Sequence, residues 1–138
     1  MNLTAKLVTF VPPVAIAVIM FDLRDQPWDA MRCAGLVLTV VGLSLLTIAR
    51  IELGNSFSVA AEARQLVTGG IYSRIRNPIY VFGSLAIAGL ILYLHKPIFL
   101  LVLVPIGALQ VWRARAEERV LRAAFGSAYE EYRRHTWL

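Results

Sequence analysis

Four apolar runs separated by clusters of charge constrain this chain more than any other feature. They are Leu7 to Phe21, Cys33 to Ala49, Ile79 to Leu94 and Ile98 to Trp112. The first three contain no Asp, Glu, Lys, Arg or His. Each is a little shorter than the ~20 residues of a spanning helix. Trp28, Tyr93, Trp112 and the long side chains of Arg50 and Arg113 flank them and can extend each run into a membrane interface. The hydrophobic share of 58% exceeds the usual share of a soluble domain, ~45–50%. The pattern predicts an all-α, polytopic membrane protein with a single domain over 1–138. Its four transmembrane helices lie near 7–21, 33–49, 79–94 and 98–112, with a loop over 50–77 and a tail over 113–138. Pro12-Pro13 are expected to kink the first helix. Lys6 alone is a weak positive flank, and Phe21-Asp22-Leu23-Arg24-Asp25 offers no small-residue cleavage site, so a retained helix is expected rather than a signal peptide.

Charge then gives the orientation. With four spans, all but three of the 14 Lys and Arg fall on the side shared by the two termini and the middle loop; the three are Arg24, Arg32 and Lys96. The positive-inside bias therefore predicts an integral membrane protein with both termini cytoplasmic. The same bias accounts for the net charge of +5 without nucleic acid as a partner. Cys33, the single cysteine, reads as a small buried hydrophobe. No CxxC, HExxH or histidine cluster calls for a metal. His95 lies on the face opposite the charged segments and His135 near the terminus, so neither is expected in catalysis. No strand with a glycine-rich loop is present, which sets aside a Rossmann cofactor fold.

The turn His95-Lys96-Pro97 is short enough to force the third and fourth helices into an antiparallel hairpin. That hairpin would bring Arg76, Asn77 and Tyr80 to the membrane depth of Glu117 and Glu118. Beyond Trp112 the tail continues the fourth helix, with Val120, Leu121, Ala124, Phe125, Ala128, Tyr129 and Tyr132 at helical spacing. Gly126 is the expected stop, and Ser127 with Glu130 reads as a capping box for a second short helix. The result would be an amphipathic helix-turn-helix lying apolar side down on the membrane. The middle loop, long for so small a protein, is expected to act as a lid or cofactor floor.

The stretch from Gly69 to Tyr80 is the most polar and aromatic part of the interior. Pro78 marks the change from loop to helix, because it fixes its own φ and disfavours a helical Asn77. Arg74 and Arg76 can serve as interfacial anchors, as contacts to lipid phosphate, or as a bidentate grip on a ligand carboxylate. Tyr72 and Tyr80 can be belt aromatics or ligand contacts. Glu117 and Glu118 form i,i+4 pairs with Arg113 and Arg122, each worth only about 0.2–0.5 kcal/mol. Adjacent helical residues point ~100° apart, so one carboxylate can face a pocket while its neighbour anchors to arginine.

Two segments together resemble a known superfamily. Gly70-Ile71-Tyr72-Ser73-Arg74-Ile75-Arg76-Asn77-Pro78-Ile79-Tyr80 resembles the G-x-Y-x-x-x-R-[HN]-P-x-Y signature of the isoprenylcysteine carboxyl methyltransferase and phospholipid methyltransferase superfamily. Glu117-Glu118, Leu121, Phe125-Gly126, Tyr129 and Tyr132 are similar to its E-E-x-x-L-x-x-x-F-G-x-x-Y-x-x-Y signature, and Leu53-Gly54-Asn55-Ser56-Phe57-Ser58 to another family segment. The resemblance implies methyl transfer from S-adenosylmethionine at the cytoplasmic membrane face. It implies cofactor contacts from Tyr72, Arg76, Asn77, Pro78, Tyr80, Glu117 and Glu118, with Arg76 and Glu118 catalytic. It also implies a lipophilic acceptor arriving from the bilayer, either an isoprenylcysteine-like carboxylate or a phospholipid amine, with membrane lipids as partners and no metal. Asn77 stands where the family often has His. An amide can donate and accept hydrogen bonds but cannot relay a proton, so the stretch implies a cofactor clamp rather than a base.

Other functions make different demands. A sterol-type NADPH-dependent membrane reductase carries a comparable arginine-histidine-proline motif, but not the paired glutamates with their downstream leucine. A small transport protein would usually place an ionisable group inside a span. A non-catalytic membrane scaffold would have no use for Arg76 or Glu118 in binding a cofactor.

Overall fold

The computed structural model describes residues 3–54 and 66–137. Residues 55–65 of the loop expected to act as a lid or cofactor floor, Asn55–Ser58 and Arg64 among them, lie outside those residues. Five α-helices follow in order: α1 (Leu3–Asp22), α2 (Ala30–Leu53), α3 (Pro78–Tyr93), α4 (Leu103–Phe125) and α5 (Ser127–Arg134). Short 3₁₀ turns at Gly70–Ser73 and Pro97–Val102 lead into α3 and α4. Among the described residues no strand forms, and Ile75 and Trp137 make a single isolated bridge.

The first three helices match the first three apolar runs, and α4 starts five residues into the fourth run and continues 13 residues beyond it; several helix ends have a local reason. Asp29 caps α2 by accepting the Arg32 N–H at 2.8 Å, so this helix starts before Cys33. At its other end it passes Arg50 and stops at Gly54, whose φ of +52° suits a residue without a side chain. Pro78 occupies the first turn of α3, as its missing N–H and fixed φ dictate. Gly126, also at φ +52°, separates α4 from α5. The expected capping box is absent: no side chain caps α5, its Glu130 N–H bonds the Gly126 carbonyl, and the Glu130 carboxylate lies 2.7 Å from Arg122.

Two helical stretches, Ala30–Leu53 and Pro97–Phe125, have the length and hydropathy of a membrane span. At 16 residues α3 rises about 24 Å, short of a ~30 Å hydrocarbon core. Large apolar side chains on α1, α2 and α4, among them Val14, Val37, Val104 and Trp112, are more than half exposed. An apolar belt of this kind suits lipid rather than water. Cys33, expected to be buried, belongs to this exposed surface instead.

The interior is the seam between α2 and α3. Gly35, Thr39 and Gly42 lie on one side of it, and Ala86, Gly89 and Tyr93 on the other. A Cβ on Gly35 would sit 2.4 Å from the Tyr93 nitrogen, and one on Gly42 2.6 Å from the Ala86 nitrogen. The backbones therefore touch, which only small residues permit. The Thr39 hydroxyl is kept satisfied by the Gly35 carbonyl, 2.7 Å away. These contacts run α2 and α3 antiparallel. Arg50 Nη1 to the Val8 carbonyl (2.9 Å) and Arg32 Nη2 to the Leu23 carbonyl (2.6 Å) do the same for α1 and α2. Ser84 to Gln110 (2.9 Å) and Tyr80 to Glu117 nest around the His95-Lys96-Pro97 turn and make the expected α3–α4 hairpin.

One end of the bundle is thereby assigned to Arg32, Trp28, Tyr93 and His95. Arg32, counted as an outward charge, is only 4% exposed, with its guanidinium 4.2 Å from the centre of the Tyr93 ring. The Tyr93 hydroxyl donates to the Met20 carbonyl at 2.6 Å, and His95 Nε2 lies 3.0 Å from Asp29. The opposite end gathers Arg50, Tyr72, Tyr80 and Glu117.

The helix seam makes a sharp contrast between two glycines. Gly89→Ala puts a Cβ 2.4 Å from the Thr39 nitrogen, whereas Gly107→Ala in α4 meets nothing within 4 Å. Thermal unfolding in detergent should show a loss of about 1–3 kcal/mol for the first. The second should be neutral or stabilising by up to about 1 kcal/mol.

Candidate active site

The loop before α3 is shaped by one glycine and one carboxylate. Gly70 adopts φ +57°, and a Cβ there would collide with the Glu52 carboxylate. Glu52 accepts the Ile71 N–H at 2.8 Å and so ties the turn to the end of α2. Tyr72, the next residue, is pressed inward and is 6% exposed. Its hydroxyl is buried with no hydrogen-bond partner among the described residues. Burial first, then Tyr132, Glu52 and Glu117, push its pKa above the ordinary tyrosine value, with Arg50 opposing. The hydroxyl therefore remains a proton donor throughout the physiological range.

Tyr80, on the first turn of α3, donates its hydroxyl to Glu117 Oε1 on α4. Arg113 Nη2 lies 4.0 Å from the same oxygen. The two motif segments, 37 residues apart, thus meet directly through a side chain from each. Glu118 turns the other way. Its Oε1 is 3.1 Å from Arg122 and 3.3 Å from Arg133, which braces α5 against α4. The split between a carboxylate that meets α3 and one that anchors α5 follows from the angle between adjacent helical residues.

Arg76 meets the tail. Its backbone N–H bonds the Trp137 carbonyl at 2.9 Å. Its charge opposes the upward shifts of Tyr129 and Tyr132, so both rings lie within its electrostatic reach. Burial, followed by Tyr129, pushes Tyr132 up to about 12. Among the described residues the Arg76 guanidinium makes no hydrogen bond or ion pair of its own. Pro78 is fully buried, while Asn77 precedes α3 without a side-chain capping bond. The tail turns its tyrosines onto the protein: Tyr129 is 2% exposed, and the Tyr132 hydroxyl donates to the Tyr72 carbonyl at 2.8 Å.

Next to Tyr80 a cavity of about 280 Å³ opens between α2, α3 and α4. Arg50, Tyr80, Gln110 and Arg113 form its polar part, and Leu46, Ile87, Ile106 and Leu109 its apolar walls. Read in one dimension, Arg50 and Arg113 are membrane anchors; folded, they line the cavity. Gln110 escaped notice altogether, although a carboxamide inside the fourth apolar run is a legible anomaly. The backbone role of Trp137 leaves no signal in sequence.

The Tyr72 hydroxyl makes a direct test of this geometry. Tyr72→Phe removes a buried hydroxyl that has no described partner, so the ligand-free protein should be as stable as the parent or gain up to about 1 kcal/mol in thermal unfolding. A clear loss of stability would mean that the hydroxyl is already satisfied.

Comparison with known proteins accounts for the pairing of these two segments. The family model described as phospholipid methyltransferase matches residues 29–128, which include α2, α3, α4, the loop bearing Arg76 and both glutamates. No curated protein matches the chain significantly. Methyltransferase activity and membrane association follow at the level of the family. With most of its length matched, this chain belongs to the phospholipid methyltransferase family, within the superfamily that also holds the isoprenylcysteine carboxyl methyltransferases.

Proposed function

We propose that the protein transfers a methyl group from S-adenosylmethionine to a lipophilic acceptor at the cytoplasmic face of a membrane. The observation that carries this reading is the Tyr80–Glu117 hydrogen bond, which joins the two motif segments beside the cavity. The residues of the two motif segments suit the cofactor. Arg76 can hold a carboxylate, Glu117 or Glu118 an ammonium, and the buried Tyr72 hydroxyl has a donor to offer. When bound, S-adenosylmethionine supplies an already activated methyl group on a sulfonium centre.

The protein's own task is then to bind, orient and exclude water. Tyr72 and Pro78 are buried and close the loop side of the site. The Tyr80 hydroxyl fixes one oxygen of Glu117, and Arg113 Nη2 lies 4.0 Å from the same oxygen. An acceptor with a polar head and an apolar tail suits the cavity, with its head towards Arg50, Gln110 and Arg113 and its tail along Ile87, Ile106 and Leu109. Both a phospholipid amine and an isoprenylcysteine-like carboxylate meet that description. Asn77 cannot relay a proton, so an amine acceptor would give up its proton elsewhere.

In this reading all four apolar helices cross the bilayer and both termini are cytoplasmic. The end of the bundle that holds Arg50, Arg76 and Arg113 then faces the cytoplasm.

Calorimetry with S-adenosylhomocysteine on purified protein in detergent tests the cofactor assignment. The parent should bind. Arg76→Ala should weaken binding by about 1.5–3 kcal/mol, the scale of a charged hydrogen bond. Tyr72→Phe should weaken it by about 0.5–1.5 kcal/mol despite unchanged stability. Binding of NADPH alone would overturn the reading and favour a reductase. Turnover with a panel of phospholipid, prenylcysteine and small thiol acceptors then identifies the acceptor. Orientation is checked separately: with Cys33→Ala as background, a Ser127→Cys thiol should react with an impermeant maleimide only when the cytoplasmic face is open to it.

A further inference from the structure

The loop that carries Tyr72 and Arg76 has little support of its own. Its first half is held by Glu52 and by the Arg74 and Ile75 N–H groups, which both bond the Ile71 carbonyl. From Arg74 to Arg76 the backbone bonds run instead to the residues after α5. The Trp137 N–H donates to the Arg74 carbonyl at 2.6 Å, and the Arg76 N–H to the Trp137 carbonyl at 2.9 Å. Tyr132 adds its hydroxyl to the Tyr72 carbonyl at 2.8 Å. Three hydrogen bonds from beyond Gly126 thus land on residues 72, 74 and 76. Thr136 Oγ1 bonds the Tyr132 carbonyl at 3.0 Å and turns the chain from α5 into this bridge. The Trp137 ring is 77% exposed, so this residue acts on the loop through its backbone.

We propose that Thr136 and Trp137 form a strap that positions Arg76 for its ligand, an inference that rests on Arg76 gripping the carboxylate of the cofactor. A guanidinium at the end of a long side chain is preorganised only if its Cα is fixed. Pro78 fixes the chain on one side of Arg76, and the Trp137 bridge fixes it on the other. Without the bridge, Arg74 to Asn77 must be ordered when the ligand binds, and that cost lowers affinity. Trp137 is thus a positioning residue.

The intact chain in detergent carries the test, with S-adenosylhomocysteine as the calorimetric probe and hydrogen exchange over residues 70–77 as a second readout. Trp137→Ala keeps both backbone bonds and should bind within about twofold of the parent. Trp137→Pro removes the N–H donor. It should bind about tenfold more weakly, on the scale of a charge-assisted contact. It should also raise exchange over 70–77 in the ligand-free protein and leave exchange in α2 and α3 unchanged. In an Arg76→Ala background the proline substitution should change affinity less than about twofold, because the strap acts through that side chain. Equal losses in both backgrounds, or unchanged exchange over 70–77, overturn the strap. A parent that binds no S-adenosylhomocysteine defeats the functional reading instead, and the exchange result then decides the strap by itself.

Discussion

Backbone contact between α2 and α3 is the constraint on which the rest of the structure depends. Gly35, Gly42 and Gly89 have no side chain at the points where the helices cross, and a Cβ at any of them would lie under 3 Å from the facing backbone. In lipid, helices gain little from hiding apolar surface, so close packing of small residues has to hold the pair. The seam also fixes register. With Gly35 against Tyr93 and Gly42 against Ala86, the start of α3 lies beside the end of α2, and Tyr80 shares a cavity with Arg50.

The charged end is built on that seam by a second set of contacts. The α3–α4 hairpin brings Glu117 to Tyr80, and the turn at Gly126 folds α5 back over the loop before α3. Glu118, Arg122, Glu130 and Arg133 form a half-exposed network that holds α5 to α4. Such pairs are individually weak. The tyrosines beneath them, Tyr129 and Tyr132, supply burial and a hydrogen bond to the Tyr72 carbonyl. A loop that would otherwise be loose is thereby closed on three sides, by Glu52, by α5 and by Trp137.

The two ends of the bundle handle charge in different ways. At the Arg32 end a guanidinium is buried against the Trp28 and Tyr93 rings and a backbone carbonyl, which locks the α1–α2 turn to the end of α3. At the opposite end Arg50, Tyr80, Gln110 and Arg113 line a cavity, and Tyr72 keeps a hydroxyl that no described residue accepts. The first arrangement packs its charge on aromatic faces and one backbone carbonyl and is structural. The second has hydrogen-bonding capacity to offer a ligand.

The sequence by itself determined the all-helical class, the four apolar helices, the stop at Gly126, the α3–α4 hairpin and the common depth of Tyr80 and the Glu117-Glu118 pair. Each of these follows from local chemistry or from a turn too short to allow anything else. Only the tertiary structure decided that α2 and α3 form the tightest pair, since the glycines that allow it carry no mark of which helix they face. It also decided that Arg32 is buried and Cys33 exposed, that Glu117 and not Glu118 meets Tyr80, and that Tyr129 and Tyr132 of the tail pack on the protein. Those outcomes depend on helix rotation and on backbone hydrogen bonds between residues 60 or more apart, such as Arg76 to Trp137. Side-chain identity says nothing about the partner of a backbone N–H, so the strap at Trp137 could be seen only once the chain was folded.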